Sequence, residues 1–199
     1  MHRPGAKACR CIMTTRRLLL HMCCGPCAIY PLRTLRADGW SVHGFFYNPN
    51  IQPCREFERR LEAARTVSER EELPLIVRDD YDPVEFLRNV VFREQQRCVY
   101  CYSVRIEAAA RIARKSGFDA FSTTLLYSKL QKHELIEEIA RDTSRRIGVP
   151  FIYRDFRQGW REGHEAAKMM GIYRQQYCGC IYSEAERYHR GGKKDRPPK

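Results

Sequence analysis

Seven cysteines fall in three tight groups along the chain: Cys23, Cys24 and Cys27; Cys98 and Cys101; Cys178 and Cys180. Thiolates are nucleophiles and soft metal ligands. Cys98 and Cys101, three apart in a helical stretch, share one face and can reach a single metal or cluster. Cys178-Gly179-Cys180 puts two thiolates on a turn. Cysteine is also a common core residue, so no pair decides the matter alone. Seven of them at loop and helix-start positions are hard to explain as core filling, and metal binding is the expectation. A structural zinc site is satisfied by four sulfurs. The surplus suits an iron–sulfur cluster on four cysteines with a second site nearby. Cys27, close to the positive end of a helix, is expected to have a lowered pKa.

The same stretch is informative for what it lacks. Leu18-Leu19-Leu20-His21-Met22 reads as a buried strand running into Cys23-Cys24-Gly25-Pro26-Cys27, where a nucleotide-binding protein carries a glycine-rich loop. A phosphate cradle needs small residues with converging amides, and here one glycine is followed by a proline that has none. ATP hydrolysis is not supported, which weakens a tRNA-thiolation reading. A zinc-stabilised, non-catalytic RNA-binding module is the rival from another class.

These groups have to be positioned by the elements between them. Pro26 suits the first turn of a helix reaching about Asp38, and strands are expected near 42–47, 75–78, 119–124 and 149–153. Helices are expected at 54–72, 83–91, 98–116 and 132–147, with helix again over 159–170 and at the end. Such alternation argues for an α/β fold, an open parallel sheet of about five strands with helices on both faces and a helical C-terminal portion. Open sheets of this kind bind ligands at the carboxyl ends of their strands, near the switch in strand order. Cys23 and Cys24, the 48–53 loop and the 79–83 loop all follow strands and should rim that crevice.

The formal charge of +12 is unevenly spread. Residues 1–17 carry +5 and residues 187–199 another +5, which leaves +2 for the body. A single domain over 18–186 between two basic, disordered arms is the expectation, the arms serving solubility or attraction to a polyanion. The apolar run at Leu18–Leu20 is too short for a signal core or a membrane span. Clustered thiols without an export signal place the chain in the cytoplasm. Cys9 and Cys11 read as incidental thiols of the first arm.

Other polar residues carry two readings each. Asp80 and Asp82 can supply a carboxylate ligand or a proton, but Asp-x-Asp-Pro is also an ordinary turn and helix start. His21 inside a strand is more often a hydrogen-bonded core residue than a ligand. Lys132 and His133 suit phosphate or sugar contact, or a solvated helix start. Tyr173-Arg174-Gln175-Gln176-Tyr177 can stack on a flat base or pack as an aromatic turn.

The pattern as a whole resembles the QueH-type epoxyqueuosine reductases. The matching stretches are Leu20 to Cys27, Phe45-Phe46-Tyr47-Asn48-Pro49-Asn50-Ile51, Cys98-x-x-Cys101 with Arg105, Thr123-Thr124-Leu125-Leu126, Tyr153 to Arg157, and Tyr173 to Cys180. They span nearly all of Leu18 to Ser183. Two positions depart from the usual pattern, Ser128 to Lys132 and Cys54. The resemblance implies a nucleotide-alpha-hydrolase-like (HUP) sheet, a [4Fe-4S] cluster and an adjacent mononuclear iron. It further implies cobalamin-independent removal of the epoxide oxygen from epoxyqueuosine in the tRNA anticodon loop, with electrons from a donor such as ferredoxin or flavodoxin. On that footing the cluster is assigned to Cys24, Cys98, Cys101 and Cys180, and the second iron to Cys23, Cys27 and Cys178, with Asp82 as a further candidate. Cys27 and Asp82 are the catalytic candidates.

Overall fold

A computed structural model describes residues 15–189. The two basic arms, with Cys9 and Cys11, lie almost wholly outside the described residues. The elements run β1 (Arg17–Met22), α1 (Gly25–Ala37), β2 (Ser41–Phe46), α2 (Cys54–Arg70), β3 (Leu75–Val77), α3 (Pro83–Val90), α4 (Arg97–Lys115), β4 (Ala120–Thr123), α5 (His133–Ile147), α6 (Trp160–Met169) and α7 (Ile181–Tyr188). A 3-10 turn, Thr124–Tyr127, follows β4 directly.

The strands form one parallel sheet in the order β3-β2-β1-β4. β1 is central, and Leu18 to Met22 are all buried, as a parallel strand covered on both faces requires. The chain runs outward from β1 through β2 to β3, then returns to place β4 on β1's other side. The β1–β4 border is therefore the switch in strand order, and β1 ends there, one residue before Cys23. α2 packs through Phe57, Leu61, Ala64 and Val67, and α4 through Ile106, Ala109, Ala110 and Ala113, each an apolar stripe at helical spacing.

The fifth strand expected over 149–153 is reduced to one parallel bridge between Phe121 and Phe151. Pro150 has no amide to give, and hydroxyls take much of the remaining capacity. Ser144 Oγ accepts from the Phe151 amide and donates to the Val149 carbonyl, and Ser122 Oγ donates to the Ile152 carbonyl. The segment closes the sheet edge without extending the ladder.

Candidate metal centre

The carboxyl end of β1 is built by its neighbours. Asn48, from the loop after β2, donates to the Met22 carbonyl at 2.9 Å. Cys23 and Cys24 follow, Cys24 as the extended N-cap of α1 and Cys27 one turn inside it. All three are buried, and their sulfurs lie within 4.8 Å of one another, an arrangement that can hold a metal ion. Cys24 thus lies beside Cys23 and Cys27.

The charge in this triad is shared unequally. Hydrogen bonds from the Cys24 and Cys27 thiols pull Cys23 well below the usual thiol range. Burial raises Cys24, and donation to its two neighbours raises Cys27. The lowered pKa expected at Cys27 is found at Cys23 instead, because local thiol hydrogen bonds outweigh the helix end. Gln175 Nε2 donates to Cys27 Sγ at 3.1 Å.

The other four cysteines lie near enough for Cys178, Cys180 and Cys98 to influence the Cys101 thiol, but among the described residues only Cys23, Cys24 and Cys27 bring their sulfurs within 4.8 Å of one another. Cys98 is half-buried at the start of α4, and Cys101 is buried one turn on. The Cys178–Cys180 turn is stitched to the loop after β2. Gln52 donates its amide to the Gly179 carbonyl (2.8 Å), Tyr177 Oη donates to the Gln52 carbonyl (2.6 Å), and Gln52 Oε1 accepts from the Ile181 amide (3.2 Å). Burial pushes the Cys101 thiol up to about 12; Arg105 opposes the rise, while Cys178, Cys180 and Cys98 add to it. Gln131 Nε2 donates to Cys178 Sγ at 3.1 Å.

Two guanidiniums, each 2% exposed, look into this thiol-lined space. Arg60 pairs with Glu56 and donates to the Cys178 and Tyr177 carbonyls, both at 2.9 Å. Arg105 donates to Cys101 Sγ (2.9 Å), the Cys101 carbonyl (3.0 Å) and Asn48 Oδ1 (3.4 Å). Among the described residues no carboxylate pairs with Arg105. A buried cation needs a counter-charge, and only the thiols can supply it. Asn50 is also buried, with neither amide atom hydrogen-bonded. A Cβ built on Gly179 would lie 3.2 Å from its Nδ2. Seven thiols, two buried cations and an orphaned amide fit an anionic metal–sulfur centre.

Other candidates are placed differently. Asp82 is exposed and caps α3, its Oδ1 accepting from the Val84 and Glu85 amides at 2.9 and 3.2 Å. This is the turn-and-helix-start role. His21 is buried between Thr123 Oγ1 and the Tyr47 carbonyl, a core histidine. Tyr173 donates to Glu56, and Tyr177 to Gln52, so both phenols serve packing. His133 bonds Tyr153 at 3.1 Å. Cys54 is exposed at the start of α2 beside Glu58, apart from the three groups.

Arg60, Gln131 and Asn50 were not singled out from the sequence. A signal existed for Arg60, which interrupts the apolar stripe of α2 between Phe57 and Ala64 with Glu56 four residues before it. Nothing local marks Gln131, whose sulfur partner is 47 residues away. Cys23, Cys27 and Cys178 line a cavity of about 620 Å³ together with Gln131 and Gln175.

Residues 18–186 match the family model described as epoxyqueuosine reductase QueH. Relatives of the same description include one from Dehalococcoides mccartyi, 37% identical over 172 residues, covering 86% of this chain and 94% of the relative. One from Thermotoga maritima is 37% identical over 180 residues, covering 85% and 91%. One from Acinetobacter baylyi is 35% identical, covering 84% and 80%. A solved structure described as a predicted subunit of tRNA methyltransferase from Methanocaldococcus jannaschii superposes with a TM-score of 0.54 at 10% identity, covering 77% of this chain and 74% of that one. That likeness is one of fold.

Proposed function

The chain belongs to the QueH family of epoxyqueuosine reductases, and on that premise we propose that it converts epoxyqueuosine in tRNA to queuosine with a [4Fe-4S] cluster and a mononuclear iron held by its seven clustered cysteines. The observation that carries the cofactor reading is the buried Cys23–Cys24–Cys27 triad at the switch in strand order, with Arg105 bonded to Cys101 Sγ and Arg60 to the Cys178 carbonyl. The reaction breaks both carbon–oxygen bonds of an epoxide, forms a carbon–carbon double bond and releases water, consuming two electrons and two protons.

Cys23, Cys24 and Cys27 would hold the iron, and Cys98, Cys101, Cys178 and Cys180 the cluster. Such a centre, when bound, supplies electrons one at a time and a Lewis-acidic iron. The chain's own residues prepare the ligands. Thr124, Gln175 and Gln131 donate to Cys23, Cys27 and Cys178 and fix the directions in which these sulfurs face. Arg105 and Arg60 offset the negative charge that accumulates when buried thiols lose their protons to metal. Asp82 stays a helix cap in this scheme. The electron donor is a small redox protein of the ferredoxin or flavodoxin kind, and the cytoplasm is the compartment that keeps the free thiols reduced. Among the described residues, no helix is long and apolar enough to cross a membrane.

The test is turnover. Anaerobically iron-loaded protein, a strong one-electron reductant and tRNA carrying epoxyqueuosine should yield queuosine, read as loss of one oxygen from the nucleoside mass. Failure with both metal sites filled would sink the proposal. Colourless protein that retains only zinc would favour the RNA-binding module instead.

A further inference from the structure

Beside the thiols, one wall of the cavity is made of flat and cationic groups. Trp160 opens α6, and His164, one turn later on the same face, stacks with it at 5.0 Å between ring centroids and 20° between planes. Lys129 Nζ lies 5.3 Å from the Trp160 ring centre, and Arg174 is 2.8 Å from His164 Nε2. All four line the same cavity as Cys23 and Cys27. Trp160 is 41% exposed.

This wall is held rigidly to the metal centre. Tyr127 Oη donates to the Trp160 carbonyl at 2.9 Å. α6 can approach so closely because residues 159 and 163 lack side chains: a Cβ would lie 2.2 Å from the Tyr30 ring at Gly159, and 2.5 Å from Tyr127 Oη at Gly163. Tyr127 ends the 3-10 turn that begins with Thr124, the residue bonded to Cys23. A four-residue turn thus fixes both a metal-ligating thiol and the aromatic wall.

We infer that Trp160 and His164, flanked by Lys129 and Arg174, form a stacking platform for a nucleobase of the RNA substrate, with the two cations taking adjacent phosphates. This rests on the family reading that the substrate is a tRNA. Every base has a π-face, and a single base–aromatic stack changes affinity by roughly 5- to 150-fold on alanine substitution. Cations at its margin take phosphates and make binding salt-dependent. The role that the sequence suggested for Tyr173 and Tyr177 passes to Trp160, since both tyrosines are spent on packing.

The chain has two tryptophans, and Trp40 is covered by Arg16 at the start of β2, which isolates the signal. In full-length Trp40→Phe protein, an unmodified anticodon stem-loop RNA should quench the Trp160 fluorescence saturably. Trp160→Ala should weaken binding by about tenfold or more, with Trp160→Phe recovering most of it and iron content unchanged. On epoxyqueuosine-containing tRNA the alanine variant should raise KM more than it lowers kcat. Lys129→Ala and Arg174→Ala should each reduce the salt slope of binding by about one. An unquenched Trp160, or a Trp160→Ala dissociation constant within about twofold of the parent, overturns the platform. Wild-type turnover, measured in parallel, separates the two readings: turnover with no Trp160 effect overturns the platform alone, and Trp160-dependent binding without turnover supports the platform while removing the reductase.

Discussion

Thr124 bonds Cys23 twice, its Oγ1 accepting the Cys23 amide at 3.0 Å while its hydroxyl lies 3.3 Å from Cys23 Sγ as a donor. The residue before it acts in parallel: Thr123 Oγ1 meets His21 Nδ1 at 2.9 Å and accepts the Leu125 amide. The end of β4 therefore fixes the end of β1 through two adjacent hydroxyls. Thr124→Val keeps the shape and removes both bonds. It leaves a buried amide unpaired, a loss of about 1–3 kcal/mol, and takes a donor from the sulfur. Thermal unfolding should show a lower Tm, with less iron retained per chain, and Thr124→Ser should restore both. A valine variant with parental Tm and iron content would refute the assignment.

Arg105 has no carboxylate partner among the described residues, and Cys101, its sulfur neighbour, is held by burial at about 12. Without metal, Cys101 is a neutral thiol at pH 7 and Arg105 is a poorly compensated buried charge. With metal, the thiolates become its counter-ions. Arg105→Met should therefore cost the metal-loaded protein more than the metal-free one, because a buried charge lacking a good partner is replaced by an apolar chain of similar length. The measurement is the gap in Tm between the two forms, expected to narrow in the variant. An unchanged gap would mean that Arg105 is simply structural.

His21 supplies a pH dependence. Burial, reinforced by the nearby Arg105 charge, lowers its pKa from 6.5 to about 4. As pH falls through 6.5 the unfolded chain binds a proton that the folded chain refuses until about pH 4. The contribution is fully present above pH 6.5 and is lost between 6.5 and 4, a total of about 3 kcal/mol. Urea unfolding of the metal-free protein should show stability falling across that window, and His21→Gln should flatten the fall. An equally steep fall in the variant would assign it to other groups.

The frame and the Cys23–Cys24–Cys27 group were legible because they rest on local pattern. The apolar run before Cys23, the proline at the first turn of α1 and the stripe of α2 each specify one element, and the cysteine spacings announce ligands. How the cysteines group in space was not legible. Cys24, the extended N-cap of α1, sits with Cys23 and Cys27, and the Cys178–Cys180 turn is held by Gln52 and Arg60 from distant elements. Arg60 shows the limit most plainly. A charge-rich helix reads as a solvated one, yet the arginine inside its apolar stripe is 2% exposed and reaches residues 117 and 118 positions away. The expected fifth strand failed because the hydroxyls of Ser144, five to seven residues before, and of Ser122, thirty before, took backbone groups of the segment.

Asn50 and Gly179 yield the last prediction. Gly179 has φ +136, a region that side chains disfavour, and a Cβ there would lie 3.2 Å from Asn50 Nδ2, Arg60 Nη1 and Ile51 Cγ1. The Cys178–Cys180 turn thus presses against an amide whose donor and acceptor are both unpaired. An orphaned buried amide costs about 1–3 kcal/mol, so its retention implies a partner in the loaded protein. A sulfur of a bound centre would supply such a partner, and a donor to it would stabilise the more negative, reduced state. Asn50→Leu removes the amide at similar volume. It should leave the metal-free fold intact or firmer, because the unpaired group is gone, and make the reduction potential of the loaded centre more negative in an EPR-monitored titration. Gly179→Ala should instead lose metal outright, since the turn must shift away from Arg60 and Asn50. If Asn50→Leu left the potential where it was, the amide would have no role at the centre, whatever happened to Gly179→Ala.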